Sequence, residues 1–347
     1  MGSASLLVYA GVKARAIKGK LMTKQDFQTL AESRDLDELL TRLKNTSYND
    51  SVSKIVKPLT AGKIELALRD RQAERHDTMI RASGGSSILV AYYARFILKN
   101  LKIILKGKIL GKTQEQIESA ISLRAEELIK ERDVTVKALV AKDFDEAVNS
   151  LKGISLGHEV EKAAASYNEK KQMQMLDLYF DKLYYQNLSR SVKSTNDLSV
   201  HAVCGAEIDF YNIMSVLRGK FWNLDENQIQ NLLVPQGSGP SKEILSRMIS
   251  ADSIRNTLNE LLSTKYKEIV PQDENPIDAI SKFERAFEMA IYKSMHTQFV
   301  HIFSFSTVVA VTRLLDFEIR NLAAISYAVE QQIPASTVME RMFVKDA

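Results

Sequence analysis

One short pattern occurs three times in this chain of 347 residues. The first copy starts at Asn100, the second at Asn212 and a weaker third at Asn321, which gives intervals of 112 and 109 residues. A repeat of this length is too long for a solenoid unit, which spans roughly 20–50 residues, and it matches the size of a small domain. The spacing therefore predicts three related helical domains in tandem, covering residues 1–112, 113–224 and 225–347.

Landmarks on both sides of each asparagine recur at nearly the same spacing. The run DLDELLTRLKNTSY at residues 35–48 resembles DFDEAVNSLKGISL at 143–156 and, more weakly, SIRNTLNELLSTKY at 253–266. Seventeen positions after each asparagine stands an aliphatic residue: Ile117, Ile229 and Val338. Four positions before that residue stands one that commonly begins a helix: Thr113, Asp225 and Pro334. Landmarks on either side of the motif favour a true triplication over a chance match.

The composition favours an all-α protein. Only 14 Gly and 6 Pro interrupt the chain, apolar residues recur at spacings of three and four, and no long run alternates with a period of two. The net charge of +4 is too close to balance to indicate a nucleic-acid partner. The single cysteine, Cys204, cannot form an internal disulfide, which is typical of a reducing compartment.

A charge-free stretch of 19 residues, Ser294 to Thr312, requires an explanation. It is rich in serine, threonine and histidine, which makes it a poor candidate for a membrane span. The sequence therefore predicts a buried core helix at this position.

The segment Gly107 to Thr113 ends in Gly-Lys-Thr, as a phosphate-binding loop does. It has three residues between the glycines where that loop needs four, and a predicted long helix precedes it instead of a strand. Gly107-Lys108 also recurs as Gly219-Lys220 without the threonine. We interpret the segment as a helix C-terminus, with the glycine and lysine in capping roles.

The residues that most often carry catalysis or bind metal show no recognisable pattern. No two of the five histidines are four residues apart, so none predicts a metal site, and His296 and His301 fit core or interface positions better. Carboxylate pairs precede two of the asparagines at equal offsets, namely Glu207 with Asp209 and Asp316 with Glu318. The first repeat has Arg95 and Ile97 there. This difference favours a polar network between helices over an acid–base pair, and we predict no catalytic, cofactor-binding or metal-binding residue.

Two groups of basic residues remain. Lys13, Arg15 and Lys18 lie on the N-terminal helix, and a stripe on a later helix contains Arg95, Lys99, Lys102 and Lys106. The stripe has three interpretations from sequence: a solvated face, a contact with anionic lipid headgroups, or a contact with an acidic partner.

The N-terminal pattern Tyr9, Arg15, Lys18, Leu21, the DLDEL segment ending in Thr46-Ser47-Tyr48, and the three asparagine helices together resemble a known family. It is that of the central-stalk C-type component of archaeal A-type ATP synthases, with the d-type component of the eukaryotic V-type ATPase as a relative. The resemblance covers essentially the whole chain, and its specificity lies in the order and the threefold spacing of the motifs.

The resemblance implies an all-α, funnel-shaped protein with pseudo-threefold symmetry that catalyses nothing and needs no cofactor. It would seat the central shaft, made of D-type and F-type subunits, on the membrane ring of proteolipid subunits, and transmit torque in a proton- or sodium-translocating complex. Its expected location is peripheral, at the cytoplasmic face of the cell membrane. Lys13, Arg15, Lys18, Arg95, Lys99 and Lys102 are the candidate partner contacts. The alternatives are a helical adaptor at the membrane surface and an all-helical soluble enzyme.

Overall fold

The computed structural model describes residues 3–154, 156–235, 237–301 and 304–345. These residues form helices and contain no β-strand, which confirms the all-α prediction. Contacts divide the chain into two compact units: unit 1 is Met1–Leu151, Phe299–Phe303 and Thr307–Ala347, and unit 2 is Lys152–Gln298 and Ser304–Ser306. The repeat boundaries at 112 and 224, and the symmetry implied by the resemblance, stay predictions.

Among the residues that the structure describes, unit 1 contains the first ten α-helices and the last two. The first ten are α1 Ser3–Lys18, α2 Lys24–Ala31, α3 Leu36–Lys44, α4 Asn49–Val52, α5 Ala61–Ala82, α6 Ser87–Ile109, α7 Gln114–Glu118, α8 Arg124–Ile129, α9 Arg132–Val140 and α10 Phe144–Ser150. Thr23 caps α2 with a capping box, in which the Asp26 carboxylate accepts a hydrogen bond from the Thr23 N–H.

In its described residues, unit 2 contains the next seven α-helices and two complete 3₁₀ turns. The helices are α11 Gly157–Lys170, α12 Gln174–Lys193, α13 Leu198–Phe221, α14 Glu226–Leu232, α15 Lys242–Ser250, α16 Ile254–Asn259 and α17 Pro276–Thr297. The 3₁₀ turns are Glu260–Ser263 and Lys267–Ile269. The chain then returns to unit 1 with α18 Ser306–Glu330 and α19 Ala335–Met339.

Helices break at two places in the structure. The segment from Glu159 to Ser194 forms α11 and α12, which pack against each other after Lys171 takes a left-handed backbone conformation with φ 52°. The charged segment that follows Thr113 divides into α7 and α8. Neither break carries a proline or a glycine, so local composition gave no sign of them.

The predicted core helix from Ser294 to Thr312 is wrong. Helix α17 ends at Thr297, and α18 begins only at Ser306; Ile302 and Phe303 lie outside the described residues. The Asp197 carboxylate accepts hydrogen bonds from Ser304 Oγ and the Phe305 backbone N–H, so the serines of this stretch serve a connection between helices. Within the described ranges, no helix is long and apolar enough to span a lipid bilayer.

Each helix that carries a motif asparagine packs with short helices from later in the chain, or from its start. Helix α6 packs with α7, α9 and α10 in unit 1, and α13 packs with α14, α15 and α16 in unit 2. In unit 1, apolar residues of α18 share a core with α2, α3 and α19, which includes Leu30, Leu43, Leu322 and Val338. The N-terminal run of the chain therefore completes the cluster around its last long helix.

Candidate functional site

The three motif asparagines are buried, and each one hydrogen-bonds the backbone 22 residues further on. Asn212 donates from Nδ2 to the Val234 carbonyl at 2.8 Å and accepts from the Val234 N–H at 2.9 Å. Asn321 makes the same reciprocal pair with Phe343, at 2.7 and 3.0 Å. A side-chain amide that pairs with both groups of one residue's backbone fixes the returning chain against the helix.

We call this hydrogen-bonded contact between a helix asparagine and the returning chain an asparagine joint. Asn100 makes a variant of it. Its Nδ2 donates to the Ser122 carbonyl at 2.6 Å and to Glu126 Oε1 at 2.8 Å. Glu126 is fully buried and also accepts from the Thr135 hydroxyl at 2.9 Å. A carboxylate thus supplies here part of what the backbone supplies in the other two joints.

All three asparagine helices end with the same backbone motif. Eleven residues after each asparagine, the chain adopts a positive φ: 65° at Gly111, 55° at Asn223 and 55° at Gln332. The next N–H then bonds back to the carbonyl five residues earlier, for example Leu224 N to Gly219 O at 2.9 Å. This is the Schellman arrangement, which satisfies carbonyls that the helix end leaves free. It also turns the chain into the following short helix.

A close packing contact stands near each helix end. A β-carbon added at Gly107 would lie 2.7 Å from Ile117 Cγ1, and one added at Gly219 would lie 2.7 Å from Ile229 Cγ1. In the third copy the corresponding pair is Ala328 and Val338, which share one core cluster. A larger helix residue is thus matched by a smaller aliphatic residue, as close packing requires.

The Gly-Lys-Thr segment forms no phosphate-binding loop. Helix α6 continues to Ile109, Gly111 turns the chain, and the Thr113 hydroxyl caps α7 by accepting from the Gln116 N–H. The interpretation as a helix C-terminus is therefore confirmed, but Gly107 lies inside the helix and is not its cap. Lys108 donates from Nζ to the Ala141 carbonyl, and Lys220 does the same to Ala251.

The buried carboxylates three positions before two of the asparagines are braced by tyrosines. Tyr48 donates to Glu318 Oε1 at 2.5 Å, and the Met22 N–H donates to Oε2 at 2.6 Å. Tyr266 donates to Asp209 Oδ2 at 2.5 Å. Burial, followed by the neighbouring carboxylate, raises the pKa of both tyrosines, so they remain hydrogen-bond donors at neutral pH.

The residues five positions before the asparagines include an ion pair within unit 1. Arg95 Nη1 lies 3.3 Å from Asp316 Oδ1, and Gln72 donates to the same oxygen at 2.9 Å. Burial alone would raise the pKa of the Asp316 carboxyl, but the guanidinium groups of Arg95 and Arg313 hold it well below its usual range. These contacts, with those of the tyrosines, confirm a polar network between helices.

The N-terminal basic residues lie on one end of α1. Arg15 donates to the carbonyls of Phe299 at 2.8 Å and His301 at 3.3 Å. Lys18 Nζ lies 4.2 Å from the centre of the Phe299 ring, and Lys13 Nζ lies 5.0 Å from that of Tyr9.

The basic stripe is partly used inside unit 1. Arg95 is committed to Asp316, and Lys99 Nζ lies 3.2 Å from Glu65 Oε1. Lys102 and Lys106 are half-buried. The structure therefore brings Lys13, Arg15 and Lys18 together, and gives Arg95 and Lys99 partners on neighbouring helices. A role of any of the six residues in binding a partner stays a prediction.

The histidines and the cysteine have structural surroundings. His76 is buried and its Nε2 lies 2.9 Å from the Leu89 carbonyl; burial, and then the Arg95 charge, lower its pKa to about 3. Cys204 is buried in α13. Within the described ranges, no three His, Cys, Asp or Glu side chains group as a metal site would need.

Sequence reasoning missed the residues that complete these joints. Tyr48 and Glu318 are 270 positions apart, and the asparagines bond backbone groups, which carry no residue-type signal. One available sign was that Tyr48 and Tyr266 occur in the two repeats whose partner helix carries an acid. The second repeat has Leu156 in place of the tyrosine, and the asparagine helix of the first repeat has Ile97 in place of the acid.

The fold and the site together define an all-helical protein whose motif residues brace long helices against the segments that follow them. The model of the ATP synthase (C/AC39) subunit family matches residues 11–341, and the chain belongs to this family. Curated relatives include the C-type component of the A-type ATP synthase from Thermococcus kodakarensis, 28% identical over 91% of this chain and 84% of the relative, and that from Methanosphaera stadtmanae, 25% identical over 96% and 87%. The Pyrococcus horikoshii protein of the same name is 25% identical over 96% of this chain and 89% of its own length.

Proposed function

We propose that this chain is a non-catalytic coupling component of an A-type ATP synthase. It seats the central shaft on the membrane proteolipid ring and turns with both. The observation that carries the proposal is the family match across nearly the whole chain, from residue 11 to 341. Such a complex supplies its partners: the ring on one side, and shaft subunits of the D and F types on the other. The chain is then peripheral, at the cytoplasmic face of the membrane.

The internal joints support a mechanical role. An element that passes torque must resist bending where its helices meet the connecting segments. Each asparagine joint ties a long helix to the chain 22 residues later. Replacing a buried hydrogen-bond partner leaves a desolvated group at a cost of about 1–3 kcal/mol, so these joints favour one geometry over alternatives.

The contacts of the buried carboxylates also support a structural role over a catalytic one. Asp209, Glu318 and Asp316 each accept short hydrogen bonds or ion pairs from side chains of other helices or connecting segments. These carboxylates connect elements that are far apart in the sequence, and their oxygens already bind partners within the chain.

Co-purification from solubilised membranes tests the proposal. A tagged chain, expressed at its native level, should bring down proteolipid and shaft subunits in fixed ratio. Membranes lacking the chain should still hydrolyse ATP but should fail to couple it to ion movement. Recovery of the chain alone, or with soluble metabolic enzymes, would refute the proposal. Salt-sensitive binding of the isolated chain to anionic vesicles would favour the membrane-surface adaptor instead.

A further inference from the structure

Helix α1 presents an apolar stripe to solvent. Val8, Tyr9 and Val12 expose 50%, 45% and 62% of their surface, and Ala16 continues the stripe by one turn. Val300 is 75% exposed and stands between the two carbonyls that Arg15 binds, so the segment that carries it lies against α1 at Arg15. Spacings of three and four residues are those of a helix face that docks in a groove.

The opposite face of α1 is fully used within unit 1. Ala10 and Ala14 are completely buried, and α1 packs on α5. Small residues on that face let the two helices approach closely. The outward stripe is therefore not the product of a loosely attached helix: α1 is seated, and its other side remains exposed.

Positive charge surrounds the patch. Helix α1 contains no acidic residue, and Lys13, Arg15 and Lys18 lie along it. Burial, together with the charges of Lys345 and Arg15, lowers the pKa of Lys18. In the described part of the chain, none of the four cations, which are Lys13, Arg15, Lys18 and Lys345, forms an ion pair with a carboxylate.

We infer that the α1 face formed by Val8, Tyr9, Val12 and Val300 docks on a partner protein whose apolar surface is edged by carboxylates. The inference rests on the proposed function, because the partner is taken to be another chain of that complex. An apolar centre with a charged rim is the usual anatomy of such interfaces. A bilayer surface is disfavoured because lipid-inserting helices expose Trp, Phe or Leu, whereas α1 exposes two valines and a tyrosine.

Paired charge substitutions test the inference in the assembled complex. Val8→Glu with Val12→Glu places two carboxylates on the stripe without touching the buried face. The matched control is Val140→Glu, at a valine on α9 that is 58% exposed. Retention of the chain on the purified complex, titrated with salt, should weaken by about tenfold or more for the pair and stay unchanged for the control.

A photo-crosslinker at position 12 of the otherwise unchanged chain provides a second readout that does not depend on folding of a variant. It should join the chain to one protein of the complex, through a segment rich in Asp or Glu, while the same probe at position 140 should not. Unchanged retention of a folded Val8→Glu, Val12→Glu chain, or crosslinking only to lipid, would overturn the inference. Binding of the isolated chain to anionic vesicles that Val12→Glu abolishes would also overturn it. A wild-type chain absent from the complex would instead defeat the proposed function.

Discussion

Replacing Asn212 by leucine tests whether the asparagine joint stabilises the fold of unit 2. The change keeps a side chain of similar size but removes both hydrogen-bond partners of the Val234 backbone, whose hydrogen bonds measure 2.8 and 2.9 Å. Each buried group left unsatisfied costs about 1–3 kcal/mol, so we expect the free energy of unfolding to fall by about 2–5 kcal/mol. That is a large part of the roughly 5–15 kcal/mol that stabilises a typical domain.

The chain offers its own probe for this measurement. Its one tryptophan, Trp222, directly follows α13, which carries Asn212, so its fluorescence reports on unit 2 during unfolding in urea. Asn231→Leu on α14 is the matched control, since Asn231 is exposed and surface changes usually shift stability by less than about 0.5 kcal/mol. If Asn212→Leu shifts the transition no more than this control, the joint does not carry the stability assigned to it.

Three further predictions concern the other contacts. Gly219→Ala should destabilise unit 2 by about 1–3 kcal/mol through overpacking against Ile229. Adding Ile229→Val removes Cδ1 and reproduces the alanine–valine pairing of Ala328 and Val338, so it should restore part of the loss. Urea unfolding of both variants measures this, and no recovery would contradict it. Tyr266→Phe should cost about 1–3 kcal/mol in the same assay, because a buried carboxylate loses its hydroxyl donor, and an unaltered midpoint would argue against that bond. Because the pKa of Asp316 is lowered on folding, its contribution is present above about pH 4 and is lost as the pH falls. Arg95→Met should therefore lower the free energy of unfolding by about 3–5 kcal/mol at neutral pH, and should make its decrease below pH 4 less steep. Unfolding followed by circular dichroism from pH 7 to 3 measures both effects. A decrease as steep as that of the unchanged chain would refute the pairing.

Much of the local structure could be predicted because helix caps and hydrophobic periodicity depend on residues that are close together in the sequence. Asp35, Asp143 and Ser253 each accept from the N–H three residues on, and each begins the helix that its repeat predicts. The helix starts at Thr23 and Thr113 carry complete capping boxes. These signals depend on neighbours in the chain, so the sequence displays them directly.

The remaining features depend on contacts between distant residues. A lysine in the left-handed conformation at position 171 breaks a helix that periodicity alone would continue, and serine-rich polarity at 304–306 serves a connection to Asp197. The pairing of Tyr48 with Glu318 joins residues near opposite ends of the chain. No window of neighbouring residues contains both members of such a pair.

Packing in the structure crosses the predicted repeat boundaries. Helix α6 precedes the predicted boundary at residue 112 and packs with α7, α9 and α10, which follow it. The core around α18 is completed within unit 1 by α2 and α3 from the N-terminal part of the chain. Each asparagine lies inside its long helix, nine residues before the last helical residue, and it binds the backbone 22 residues further along the chain. Loss of one long helix from the fold would therefore expose the short helices that pack on it, and this mutual dependence suits the coupling role proposed above.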